Sequence, residues 1–197
     1  GVPGKRSSTP EDCFAVGCGW PALYKWTLPE ELKSGFYLVV FSIENENGER
    51  VEQEAGFTVR AASPKSPIVF MLATMTWIAY NDWGGGNYYS KPGVTVGIPT
   101  EGAVAEIGFV PRLHLHRPWA RGFMRIPKGA PRANDASNRT RAIGDYLGYP
   151  NFDWAMANGY SKWCGVSGWA QMDRHMAVWA EKNGFEIQAE EETGGGL

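Results

Sequence analysis

The sequence lacks any apolar run approaching the ~20 residues of a membrane-spanning helix, so a membrane partner is not expected. Its opening, GVPGKRSSTPEDC, has no apolar stretch of the kind a secretory signal carries. Charge of one sign is lacking as well. A net charge of −2 and a pI near 6.0 remove the basic footprint of a nucleic-acid binder. Cysteine is scarce: Cys13, Cys18 and Cys164 cannot all pair within one chain. Cys13 and Cys18 stand too far apart for a C-x-x-C redox or zinc motif, so free buried thiols in a cytoplasmic protein are expected. His114 and His116 alternate and could face one metal, but no third His or Cys lies near at ligand spacing. Gly84-Gly85-Gly86 is neither a dinucleotide fingerprint nor a Walker loop, and no G-x-S-x-G elbow occurs. The aspartates are scattered, and no repeat or heptad is visible.

Aromatics, by contrast, are plentiful. Nine Trp, eight Tyr and nine Phe accompany 25 Gly and 13 Pro in 197 residues. That combination predicts a loop-rich chain held by large rings, either one domain or two small ones sharing a core.

The expected organisation is α+β or α/β. Residues 1–60 read as a β-sandwich-like segment, 61–67 as a linker, and 68–197 as a partial α/β domain with a long loop over 84–168. Within the first segment, Thr27–Leu32 suggests a short helical turn. Phe36–Ile43 reads as a strand apolar on both faces, hence central or covered. Asn47-Gly48 marks a hairpin tip, and Val51–Arg60 is the returning strand. The pair is expected to be the end of a small immunoglobulin-like sandwich.

The stretch Pro67–Gly86 organises the rest. Its apolar strand Ile68–Ala73 runs into Trp77, Tyr80, Asn81 and Trp83 and ends in glycines, the way a parallel sheet presents a site at a strand's carboxyl end. Trp169, Met172, Met176 and Trp179 share one face of a helix expected over Gly168–Lys182, and Phe185–Ala189 follows as a strand. The order is an expanded but incomplete βαβ unit of a flavodoxin-like parallel sheet. Two parallel strands cannot bury both faces, so further strands from a longer polypeptide or a second chain are expected, as an oligomer or part of a larger complex. His175, beside Asp173 and Arg174, reads as a solvated face, and Glu190–Leu197 as a frayed end. Asn138-Arg139-Thr140 is a glycosylation sequon of consequence only in a secreted protein.

The ordered motifs carry more than any one of them. Leu28-Pro29 to Ser34-Gly35-Phe36-Tyr37 forms LP-x-x-L-x-SG-x-Y, and Thr76–Gly85 forms T-W-x-AYNDWGG. With Cys18–Pro21, Phe57–Arg60, His116-Arg117-Pro118 and Trp179–Phe185, they resemble the large-subunit family of N,N-dimethylformamidase over roughly residues 17–187. The resemblance implies an amide hydrolase with a mononuclear Fe(III) that acts on N-substituted formamides. It implies that Tyr37 and Tyr80 are metal ligands, because a phenolate is a hard donor suited to that cation. Trp77, Asn81, Trp83 and His116 are the substrate-pocket candidates; catalytic residues are not identified. The family's glutamate ligand lies in a G-H-D-E-Y-W-type motif that this sequence does not contain. Glu181 and Glu190–Glu192 are not convincing replacements. The expectation is therefore an internal piece of a larger subunit that lacks its third ligand. The competing expectation is a non-catalytic binding module, with Trp83, Tyr88, Tyr89, Trp119 and Trp154 as exposed aromatics.

Overall fold

A computed structural model describes residues 6–63, 66–89, 110, 112–131, 150–161 and 163–191. The Asn138 sequon, much of the expected long loop and the tail after Glu191 lie outside the described residues. Among them the chain runs α1 (Cys13–Val16), β1 (Gly35–Glu44), β2 (Arg50–Val59), β3 (Ile68–Leu72), α2 (Thr74–Tyr80), α3 (Pro150–Ala157), α4 (Arg174–Lys182) and β4 (Ile187–Glu191). No described helix is long and apolar enough to cross a membrane.

The fold is mixed α/β with two small sheets. β1 and β2 pair antiparallel from Gly35↔Val59 to Glu44↔Arg50, and β3 and β4 pair parallel from Ile68↔Ile187 to Leu72↔Glu191. Neither the immunoglobulin-like sandwich nor the flavodoxin-like sheet is recovered in these two pairs. The hairpin turn is as expected: Asn45 accepts main-chain hydrogen bonds from Asn47 and Glu49 through its Oδ1, and Gly48 adopts φ 76°.

β1 is not covered on both faces. Phe36 and Leu38 pack inward, and Gly56 leaves the space that the Phe36 ring fills, since a Cβ there would lie 2.2 Å from Phe36 Cζ. Beyond them Val40, Phe41 and Ile43 are exposed because the far half of the hairpin reaches past the core. One hydroxyl joins the two sheets. Ser34 Oγ donates to the Val59 carbonyl at 3.0 Å and accepts from the Ala189 N–H at 3.0 Å. Arg60 and Thr58 hold the Glu190 and Glu191 carboxylates, so these glutamates end a paired strand and not a frayed tail.

The core gathers Leu72, Trp77, Ala120, Phe123, Met124, Trp169, Ala177 and Ala189. Tryptophan rings build its centre: Trp77 lies 5.3 Å from Phe36, 6.2 Å from Trp119 and 6.2 Å from Trp169 between ring centroids. The last helix departs from expectation. Residues 168–173 form turns, and α4 begins at Arg174. Its buried side is Ala177 and Ala180, while Met172, Met176 and Trp179 are exposed. Trp179 stacks on Phe185 at 5.5 Å, away from the buried alanines. Ala177 joins the core with Leu72 and Ala189, so apolar spacing alone pointed to the wrong face of this helix.

Candidate functional site

β3 ends at Leu72, and the next residues wind into a helix. Thr74–Tyr80 is α2, so Tyr80 stands at a helix end and not at the strand's carboxyl end. Asp173 fixes this helix from outside it: its Oδ2 accepts from the Ala73 N–H at 3.4 Å and the Trp77 indole N–H at 2.7 Å. A carboxylate beside the helix start is favourable because unpaired N–H groups and the positive dipole end lie there.

The other end of α2 is gathered by one cation. Arg117 is 7% exposed; Nη1 donates to the carbonyls of Trp83 (2.7 Å) and Gly86 (2.9 Å). Nη2 donates to those of Asn81 (2.7 Å) and Ile78 (3.3 Å). Carbonyls of the helix end and of the loop after it are thus met by one charged fork. Burial pulls the Arg117 pKa down, with Cys13, Asp82 and Cys18 opposing. Asn81 completes the knot: it donates to the Pro118 carbonyl at 3.0 Å and accepts from the N–H groups of Ala120 (3.0 Å) and Trp83 (3.2 Å).

This frame presents Tyr80. Asn87 donates to the Tyr80 carbonyl at 2.9 Å and accepts from the Tyr89 N–H at 2.9 Å, which brings the second tyrosine over the first. Their rings lie 4.7 Å apart, and Trp163 stands edge-on to Tyr80 at 5.0 Å. The hydrogen bond with Tyr89, and then burial, push the Tyr80 hydroxyl above its ordinary pKa. The result is a half-buried, protonated phenol on an aromatic wall.

The other site candidates are placed as follows. Trp77 is fully buried and Asn81 nearly so, and both spend their polar groups inside the protein. Trp83 is half-buried, edge-on to Trp20 at 5.8 Å. His116 is exposed, and its N–H donates to His114 Nδ1 at 3.0 Å. Of the aromatics expected on the surface, Tyr88 alone is exposed; Trp83, Tyr89, Trp119 and Trp154 are half-buried.

Tyr37 keeps different company from Tyr80. Its hydroxyl donates to the Lys33 carbonyl at 2.8 Å and its ring stacks on Phe57 at 5.7 Å. It lines a cleft of about 840 Å³ with Phe36, Phe70, Trp169 and Glu181, a cleft that does not include Tyr80. Strand alternation explains the separation. Phe36 faces Trp77 and α2, so Tyr37 takes the opposite face of β1. Among the described residues no group of three His, Cys, Asp or Glu side chains could hold a metal. The Tyr37 hydroxyl is bonded to the Lys33 carbonyl, and Tyr80 lines a different part of the surface.

Arg117, Asp173 and Asn87 have roles that no motif in the sequence marks. Arg117 lies inside the His116-Arg117-Pro118 motif, where a cation between two segments of aromatics and proline was the available signal. Asp173 neighbours His175, which is expected on a solvated face, yet Asp173 meets Trp77 across a separation of 96 residues that no local pattern encodes.

No curated protein and no solved structure matches this chain. A family model does, over residues 3–192, and it spans both sheets, the Arg117 knot and the Tyr80 wall. The chain belongs to the N,N-dimethylformamidase beta subunit-like, C-terminal family.

Proposed function

We propose that this chain is part of a hydrolase of linear amide C–N bonds, acting on N-substituted formamides to give formate and an amine. The family match over residues 3–192 carries this reading. The Tyr80 wall supports it chemically. The Tyr80 O–H, on leaving its hydrogen bond with Tyr89, would donate to an amide oxygen, where negative charge develops as the carbonyl is attacked. Tyr89 and Trp163 would orient a small planar amide beside it and exclude water.

The iron implied by the resemblance gives the same side chain a different role: a mononuclear Fe(III) held by Tyr37 and Tyr80 would take Tyr80 as a phenolate in place of a protonated donor. Tyr37 would have to leave the Lys33 carbonyl and the outer face of β1, and further donors would have to join it.

The test is formate release from N,N-dimethylformamide, with metal content and the visible spectrum, on the longest natural polypeptide containing this chain. Tyr80→Phe is expected to lower formate release by about 10²-fold, the effect of removing one preorganised donor. Unchanged turnover in that variant would sink the role of Tyr80. A competing reading, a non-catalytic binding module, is favoured by the exposed Trp20, Tyr24 and Trp26. Absence of any formamide hydrolysis or iron, with ligand binding to those rings, would establish it instead.

A further inference from the structure

A second cleft, of about 420 Å³, lies on the flank of the hairpin and does not include Tyr80. It brings four cations, Arg50, Arg121, Arg125 and Lys128, together with two carboxylates, Glu52 and Glu54. Both carboxylates are already taken. Arg50 donates to Glu52 at 2.7 Å, and Arg125 donates to Glu52 at 2.6 Å and to Glu54 at 2.8 Å. Among the described residues, no carboxylate and no other acceptor meets the guanidinium of Arg121 or the ammonium of Lys128. The cleft therefore carries two positive charges in surplus.

Arg121 is held in place and not left trailing in solvent. Its guanidinium carbon lies 4.5 Å from the centroid of the Tyr160 ring, a contact that uses the flat face of the cation and leaves its N–H edge free. The ring is itself fixed by the end of α3. Gly159 adopts φ 70°, its N–H donates to the Met156 carbonyl at 3.2 Å, and the Tyr160 N–H donates to the Ala155 carbonyl at 2.8 Å. Trp154 of α3 stacks on Tyr160 at 5.6 Å, with the two planes 12° apart. The backbone after Arg121 is equally constrained. Gly122 adopts φ 94°, and a Cβ there would lie 2.2 Å from Cys164 Sγ.

We propose that this cleft is a phosphate site, which takes inorganic phosphate or the phosphate group of a small monoester. A phosphate dianion matches the two surplus charges. Arg121 offers paired N–H groups to two phosphate oxygens, and Lys128 offers a point charge to a third. The Tyr160 hydroxyl, which also lines the cleft and meets no partner among the described residues, adds an O–H donor. Glu52 and Glu54 oppose an anion, and Arg50 and Arg125 offset them. The site is separate from the Tyr80 wall, so it stands whether or not the chain hydrolyses amides.

The experiment is calorimetric titration of the folded protein with inorganic phosphate and, separately, phenyl phosphate, at mildly alkaline pH and fixed ionic strength. One saturable site is expected. Arg121→Ala should weaken it about tenfold, the loss of a charge-assisted hydrogen bond, and Lys128→Ala should weaken it by less. Lys25→Ala removes an exposed cation outside the cleft and should leave binding unchanged. Tighter binding of phenyl phosphate would identify the occupant as a monoester, and equal or weaker binding as free phosphate. The proposal is overturned if neither compound gives saturable binding. It is equally overturned if Lys25→Ala weakens binding as much as Arg121→Ala, because attraction would then be general. Lys128→Ala takes the place of Arg121→Ala in that comparison if the latter does not fold.

Discussion

Arg117 and Arg125 stand on one segment of the chain, yet they hold two regions in different ways. Arg117 is buried and binds four main-chain carbonyls at the end of α2. Arg125 is exposed on the flank of the hairpin and meets the carboxylates of Glu52 and Glu54. Both make several short, charge-assisted contacts, so a count of contacts would rank them as equals. Burial separates them. In the knot no water can replace the guanidinium, so removing it orphans the carbonyls. On the hairpin, water and salt replace the lost partner at little cost.

The sharpest way to break this comparison is Arg117→Ala. It should destabilise the protein by about 3 kcal/mol or more, since it strips buried acceptors of their donor. The measurement is the midpoint of denaturant unfolding. A loss no larger than that of a surface variant would mean that water enters the knot freely.

A smaller effect should appear at alkaline pH, from the interior side of the molecule. Burial raises the Cys164 thiol from 9.0 to about 11 in the folded chain. The unfolded thiol ionises first, so between those values the unfolded state holds fewer protons and stability falls as pH rises. Its contribution is fully present below pH 9.0 and lost as pH rises through about 11. Cys164→Ala should flatten that part of the stability profile; an unchanged slope would place the loss on other groups.

Arg125→Ala should have the smallest effect, a shift in the unfolding midpoint within the scatter of the measurement. A loss comparable to that of Arg117→Ala would show that the hairpin flank is as dry as the knot and would erase the distinction between the two regions.

The hairpin was the most legible part of the chain. Alternation in Phe36–Ile43 and the Asn47-Gly48 tip are local signals, and the register confirms them. The pivot was half legible. Ile68–Leu72 is a strand as its apolar run indicates, but Thr74–Tyr80 turns helical once Asp173 stands at its start. The apolar spacing of Trp169, Met172, Met176 and Trp179 misled because residues 168–173 form turns, so Trp169 enters the core while the other three stay exposed. At the site, the tyrosines were named from motif order, whereas the company each keeps depends on strand parity and on Asn87 and Tyr89.

The sequence by itself determined the class of the protein, its hairpin, its two parallel strands and the family to which it belongs. These follow from short-range periodicity, turn chemistry and the order of motifs, all written within a few residues at a time. Tertiary structure alone decided that Tyr80 meets Tyr89 while Tyr37 faces away, that Arg117 gathers the end of α2, and that Cys13 packs against Gly84. Each of these depends on which groups burial leaves without water, and that is fixed only when distant segments close on one another.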